Sequence, residues 1–253
     1  MEYSKAWQFT GLEFEVLWRQ LGRDRLPYPL RYRPTADTQE DLDRLRQAAA
    51  ASWLPRVTET LHRHLTVLAE PDIRIEVSGF VGREDTVAVR MHGAIRGGLA
   101  TLAIQMPGPD VDSGGDVMVH GPAPAQLPEA IASALPAMPA GSRAPVRFRR
   151  TDLQPGGGPL LVSAGATGLR DEALGLLRRP RTGIGEITAF AGVAYDSRPG
   201  TGGVGLHWID FGGDGRYALR DAADIVVSPA SVPQIAAEIE KLLGTIRARE
   251  MAH

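Results

Sequence analysis

Six histidines are the residues best suited to metal binding or proton transfer, and their spacing supports neither. His62 and His64 stand two apart in a helical pattern, so they point to different sides. His92, His120 and His207 fall in strand-like runs without an Asp, Glu or His cluster at ligand spacing, and His253 is terminal. Packed or solvated histidines are the expectation. Asp110 to Asp116 superficially resembles a calcium loop, with Gly115 where an EF-hand has its sixth residue, but the twelfth is Gly121 instead of a bidentate Glu. An acidic hairpin turn fits better. Gly156-Gly157-Gly158 lacks the Gly-Lys-Ser/Thr of a phosphate loop. Gly183-Ile184-Gly185 lacks the third glycine of a dinucleotide fingerprint, since Thr188 stands there, and it opens a strand where a helix is needed. Ser163 lacks the glycine two residues before it that a nucleophile elbow requires. No catalytic residue, metal or cofactor is expected, and the chain reads as a binding scaffold and not as an enzyme.

Composition narrows the classes further. Without cysteine there are no disulfides, thiolate metal sites or cysteine nucleophiles. A formal charge of −2, from 28 basic and 30 acidic residues, carries no nucleic-acid footprint and no polybasic anchor. No run approaches the roughly 18 apolar residues of a membrane span. The N-terminal residues lack a basic segment followed by an apolar one. No nucleic-acid partner, no membrane insertion and a cytoplasmic location are expected.

The elements that would position any site follow from periodicity. Trp7 to Phe9 read as a strand end. Thr10-Gly11-Leu12-Glu13 is a capping box flanked by Phe9 and Phe14 at staple positions, opening a helix that ends at Gly22. Three prolines among Pro27 to Pro34 forbid a helix there. Thr38 is a candidate N-cap for a helix carrying Leu42, Leu45, Ala49 and Trp53. Pro55 should break it, and a second helix should carry Leu54, Val57, Leu61, Leu65 and Leu68, closed by Pro71. From Asp72 the period changes to two through four runs: Ile73–Val77, Val87–Met91, Leu102–Met106 and Val117–Val119. These predict an antiparallel meander with one buried face. A helix over 126–135 follows. Residues 136–168 read as a Pro/Gly-rich connector with short strands at Val146–Phe148 and Leu160–Val162. The pattern then restarts with a helix over 169–178, further alternating runs, and a terminal helix opened by Ser231-Val232-Pro233-Gln234.

The restart is an internal repeat. Asp116–Leu135 aligns with Asp224–Leu243 at an offset of 108, with Asp116/Asp224, Val119/Val227, Gln126/Gln234, Ile131/Ile239 and Leu135/Leu243 identical. The expected architecture is a single α+β domain over 1–253. It has half one at about 1–135, a connector at about 136–168 and half two at about 169–253. The halves are related by a pseudo-two-fold axis and share one antiparallel sheet, with helices at its ends or on one face. Edge strands of such a sheet could pair two copies into a homodimer.

Several stretches, taken together and in order, resemble the EspG family, the ESX (type VII) secretion-associated chaperones of actinobacteria. They are Phe9-Thr10-Gly11-Leu12-Glu13-Phe14 running into Gly22–Leu30, Arg179-Pro180-Arg181-Thr182-Gly183-Ile184-Gly185-Glu186-Ile187, Trp208-Ile209-Asp210 and Gly215-Arg216-Tyr217. The resemblance implies a central antiparallel sheet with two helical bundles. It also implies a substrate-specific cytoplasmic chaperone that covers the PPE tip of a PE–PPE-like helical heterodimer and keeps it soluble for export. The family's interface uses the central sheet, a loop between early strands and the C-terminal helical bundle. No interface motif matches residue by residue, so the expected partner-binding residues are our own reading. They are the Arg83-Glu84-Asp85 turn, Leu206 and Trp208 on one strand, and Gln234, Glu238 and Lys241 on the terminal helix. A generic interaction module of the same fold with other partners, or a small-molecule enzyme with a dispersed site, would be the alternatives.

Overall fold

Thr10 sets the first helix. Its hydroxyl accepts from the Glu13 amide at 3.3 Å while the Glu13 carboxylate accepts from the Thr10 amide at 2.7 Å, so two of the donors left over at a helix start are satisfied. In the computed structural model, which describes residues 6–82, 84–149, 175, 178–194, 197–221 and 224–252, β1 (Ala6–Phe9) leads into α1 (Gly11–Gln20). Phe9 and Phe14 pack with ring centroids 6.0 Å apart. Gly22, at φ 76°, takes the left-handed conformation that ends the helix.

Thr38 caps α2 (Gln39–Trp53), whose buried residues are Leu42 and Trp53, whereas Leu45 is exposed. Pro55 ends α2 in a short 3₁₀ turn. The next helix, α3 (Glu59–Ala69), begins later than the apolar spacing predicts, because the Thr58 hydroxyl accepts from the Leu61 amide at 3.2 Å and caps it there. Leu54 and Val57 therefore precede the helix, and Leu54 is exposed. The meander follows as β2 (Ile73–Val81), β3 (Val87–Arg96), β4 (Leu99–Pro107) and β5 (Gly114–His120), then α4 (Leu127–Ala134). The connector supplies β6 (Val146–Arg149), and the second half β7 (Arg181–Ala191), β8 (Val204–Phe211), β9 (Gly215–Asp221), β10 (Asp224–Pro229) and α5 (Val232–Met251). The expected strand at Leu160–Val162, and most of the expected helix over 169–178, lie outside the described residues.

The ten strands of the described residues join one antiparallel sheet in the order β1-β5-β4-β3-β2-β7-β8-β9-β10-β6. The order reads the same outward from the central β2–β7 pair in both directions: β2, β3, β4, β5, β1 on one side and β7, β8, β9, β10, β6 on the other. Ser78 and Glu186, directly opposed across that pair, are 108 residues apart, the spacing of the sequence repeat. The repeated helices bury matching positions, Leu127 and Ile235, Ile131 and Ile239, Leu135 and Leu243, in one core.

The helices occupy both faces of the sheet, which corrects the expectation of one buried face. On the first face α4 and α5 cover Ile75, Val77, Met91, Leu102, Ile187 and Leu206. On the second face α1 and α3 bring Phe14, Leu17, Leu61 and Leu65 against Ala94, Ala103, Val117 and Val119. β3 is consequently buried from Ala88 to Ile95 without interruption. In half two the second face carries its own cluster of Ile209, Phe211, Tyr217, Ile225 and Val227.

Candidate partner-binding surface

Between the two apolar clusters of the second face lies the centre of the sheet, and there the strands turn polar. Arg90, Ser78, Glu186 and His207 stand directly opposite one another on β3, β2, β7 and β8. Directly opposed residues share a face, so these four form a row across the pseudo-two-fold axis. They floor a groove of about 350 Å³ walled by Tyr28 and Pro29, with Val111 and Asp112 beyond and Phe80 and Ile184 at the rim. Phe80 is 40% exposed, unusual for a large apolar side chain on a central strand.

The groove's wall is fastened by polar side chains from its floor. The Tyr28 hydroxyl donates to Ser78 Oγ at 2.9 Å, and Ser78 donates in turn to Glu186 Oε1 at 3.2 Å. Gln105 reads the backbone of Arg31 with both ends of its amide, accepting from the amide nitrogen at 2.8 Å and donating to the carbonyl at 2.6 Å. Arg90 spends its guanidinium on the carbonyls of Val111 and Ser113. His92 Nδ1 lies 2.8 Å from the Tyr28 carbonyl. Burial pulls His92 down to about 4, so its ring is neutral and donates there.

The expected partner-binding residues fall in three places. In the β2–β3 turn, Glu84 is exposed and Asp85 pairs with Arg181 at 2.7 Å, tying the turn to the start of β7; Arg83 lies outside the described residues. On α5, Gln234 accepts from the Ser231 amide at 2.7 Å as the helix cap. Glu238 accepts from Arg220 at 2.6 Å and Lys241 at 2.9 Å, and Lys241 is exposed. These three share a patch over β9 and β10 on the first face.

Leu206 and Trp208 require a correction. They are 1% and 0% exposed and point into the α4–α5 core. Gly79 and Gly185 oppose each other on β2 and β7, and the space above them is filled by the indole: a Cβ on Gly79 would come within 2.8 Å of the Trp208 ring, and one on Gly185 within 2.7 Å. Arg216 lies over the same ring at 5.0 Å and pairs with Asp210 through two 2.8 Å bonds, all buried. Trp208 is thus a plug in the core and cannot serve as a surface anchor.

Sequence reasoning missed Tyr28, Ser78, Phe80, Glu186 and His207. Their one sequence signal was polar residues alternating on strands whose neighbours are both strands. Asp214 is likewise unforeseen. Arg179, the Ser142 amide and hydroxyl, and the Tyr217 hydroxyl all converge on its carboxylate and hold it well below the usual range. It locks the segment before β6 onto the β8–β9 turn. Among the described residues no three His, Asp or Glu side chains are grouped to hold a metal ion, and no helix is long and apolar enough to cross a membrane.

No curated protein matches the chain by sequence. Among solved structures, one of the Mycobacterium tuberculosis type VII secretion system chaperone EspG5 in complex with a PE25–PPE41 dimer is similar in fold. It has a TM-score of 0.56 at 17% identity over 94% of this chain and 96% of that one. The EspG family model matches residues 10–241, from the N-cap of the first helix through strands β2 to β10 and into the terminal helix, and the chain belongs to the EspG family.

Proposed function

We propose that this protein is a cytoplasmic chaperone of a type VII (ESX) secretion system that binds a PE–PPE-like helical heterodimer at the PPE tip and keeps it soluble for export. The observation that carries the reading is the family match over residues 10–241. The solved relative of similar fold, held in complex with its PE25–PPE41 dimer, supports the same class of partner. An exposed apolar helix tip is an aggregation liability, and a reversible cover for it needs shape and charge complementarity, with no chemistry. The role is non-enzymatic.

The partner-binding surface in this reading comprises the Arg83–Asp85 turn, the Phe80 rim and floor of the adjoining groove, and the outer residues Gln234, Glu238 and Lys241 of α5. Leu206 and Trp208 hold the sheet beneath that surface in shape. The chain acts as one unit, because the groove is floored by strands from both halves. The test is turbidity of a PE–PPE-like helical pair, with and without the protein. Suppression at equimolar protein is the expected result. Charge reversal of Arg83 and Glu84 should weaken it while leaving the melting temperature unchanged. A pair that stays equally turbid with the protein present would overturn the reading.

A further inference from the structure

Between Arg19 and Arg33 five of fifteen residues are arginine and one, Asp24, is acidic, in a chain whose net charge is −2. The fold gathers this segment around a second cleft of about 520 Å³, beside the central groove and sharing Arg31 and Asp112 with it. Arg19, Arg25, Arg31, Arg33 and Arg46 line the cleft. Leu26 and Leu30 line it too and are buried, and Tyr32 is half-buried beside them.

The five guanidinium groups are not equally engaged. Glu15 holds Arg19 and Arg46, and Asp112 holds Arg31 at 3.1 Å. Among the described residues the exposed side chains of Arg25 and Arg33 have no hydrogen bond or ion pair, and Arg33 lies within the field of Asp110. The cleft therefore keeps two forked cation donors in hand after its own acids are paired. A guanidinium matches a carboxylate through two parallel bonds.

The geometry points to this cleft as the docking site for an extended acidic peptide segment of a partner protein. Three features favour spaced carboxylates over a compact anion such as phosphate. The basic groups alternate with Glu15, Asp24 and Asp112, which would repel a dense charge but leave room for carboxylates spaced along a chain. The cleft is flanked by the C-terminal end of α1, the negative end of its dipole, which repels a compact double charge more than a single carboxylate. Tyr32, half-buried in the lining, offers its ring to the intervening apolar atoms of a peptide. The inference rests on the cleft alone and stands independently of the proposed function.

The probe is a fluorescein-labelled octapeptide of alternating Glu and Gly, followed by polarisation, with the Lys–Gly counterpart and inorganic phosphate as comparisons. The acidic peptide should bind, weaken as salt rises from about 50 to about 500 mM, and lose about tenfold in affinity in the Arg25→Glu, Arg33→Glu double variant. The exposed arginines Arg63 and Arg247 lie elsewhere. The Arg63→Glu, Arg247→Glu variant should bind like the parent, and both variants should melt like it. Absence of binding at low salt would overturn the proposal, as would equal loss in both variants, or phosphate displacing the peptide as effectively as unlabelled peptide does.

Discussion

On the α4–α5 face, Ile75, Val77, Ile187, Leu206 and Trp208 belong to one apolar core that runs from one half of the molecule into the other. On the opposite face the alternate residues of the same strands are Glu76, Ser78, Glu186 and His207, and apolar packing stops on either side of them. The first face joins the halves, so its interactions are continuous and dry. The second leaves a gap between two separate clusters, and that gap is where polar groups with spare hydrogen-bonding capacity and an exposed Phe80 meet solvent. One sheet thus keeps its continuous core on one side and opens its central groove on the other.

The comparison breaks most readily at the plug. Trp208→Ala empties the space above the Gly79–Gly185 pair and should cost about 3–5 kcal/mol in urea unfolding. Any loss of partner binding should follow unfolding only. A variant that kept its stability would show that the first face is not the joint.

His92 gives the next largest effect and lies under the groove wall. Burial holds it at about 4, whereas the unfolded chain protonates near 6.5. As pH falls through that interval the unfolded state takes up a proton that the folded state refuses. A contribution of about 3 kcal/mol, present in full above pH 6.5, should therefore be lost by pH 4. Unfolding free energies measured from pH 7 to 4 should fall more steeply for the parent than for His92→Gln.

Gly185→Ala places a Cβ 2.5 Å from the Ser78 carbonyl and 2.7 Å from the Trp208 ring, and should cost about 1–3 kcal/mol. The same change at the open Gly244, where nothing lies within 4 Å, should not destabilise. The smallest effect on stability belongs to the groove floor. Glu186→Gln should alter unfolding by less than about 0.5 kcal/mol yet lower partner affinity about fivefold by titration calorimetry. Loss of stability without loss of affinity would reverse the assignment of the two faces.

Much of this molecule was legible before folding was considered. The Thr10–Glu13 and Ser231–Gln234 boxes, the left-handed Gly22 and the alternating runs are local signals, and each stands where the residues placed it. The 108-residue repeat survived as matching buried helix positions. What was hidden depends on partners far along the chain. Arg74 and Glu76 alternate with isoleucines like a solvated face, yet they are buried as a 2.8 Å pair, with Arg74 also bonding the carbonyls of Ala191, Gly192 and Val193. Trp208 looked like an anchor because the two glycines that make room for it lie on other strands. The groove draws Tyr28, Ser78, Glu186 and His207 from segments that no spacing rule connects.

The most direct test of the central claim is co-expression of this protein with PE–PPE-like helical pairs from the same genome, followed by size-exclusion chromatography with light scattering. The account predicts a stable 1:1:1 complex that the Glu186→Gln variant forms more weakly. A folded protein that elutes alone beside a pair that is soluble without it would contradict the chaperone function.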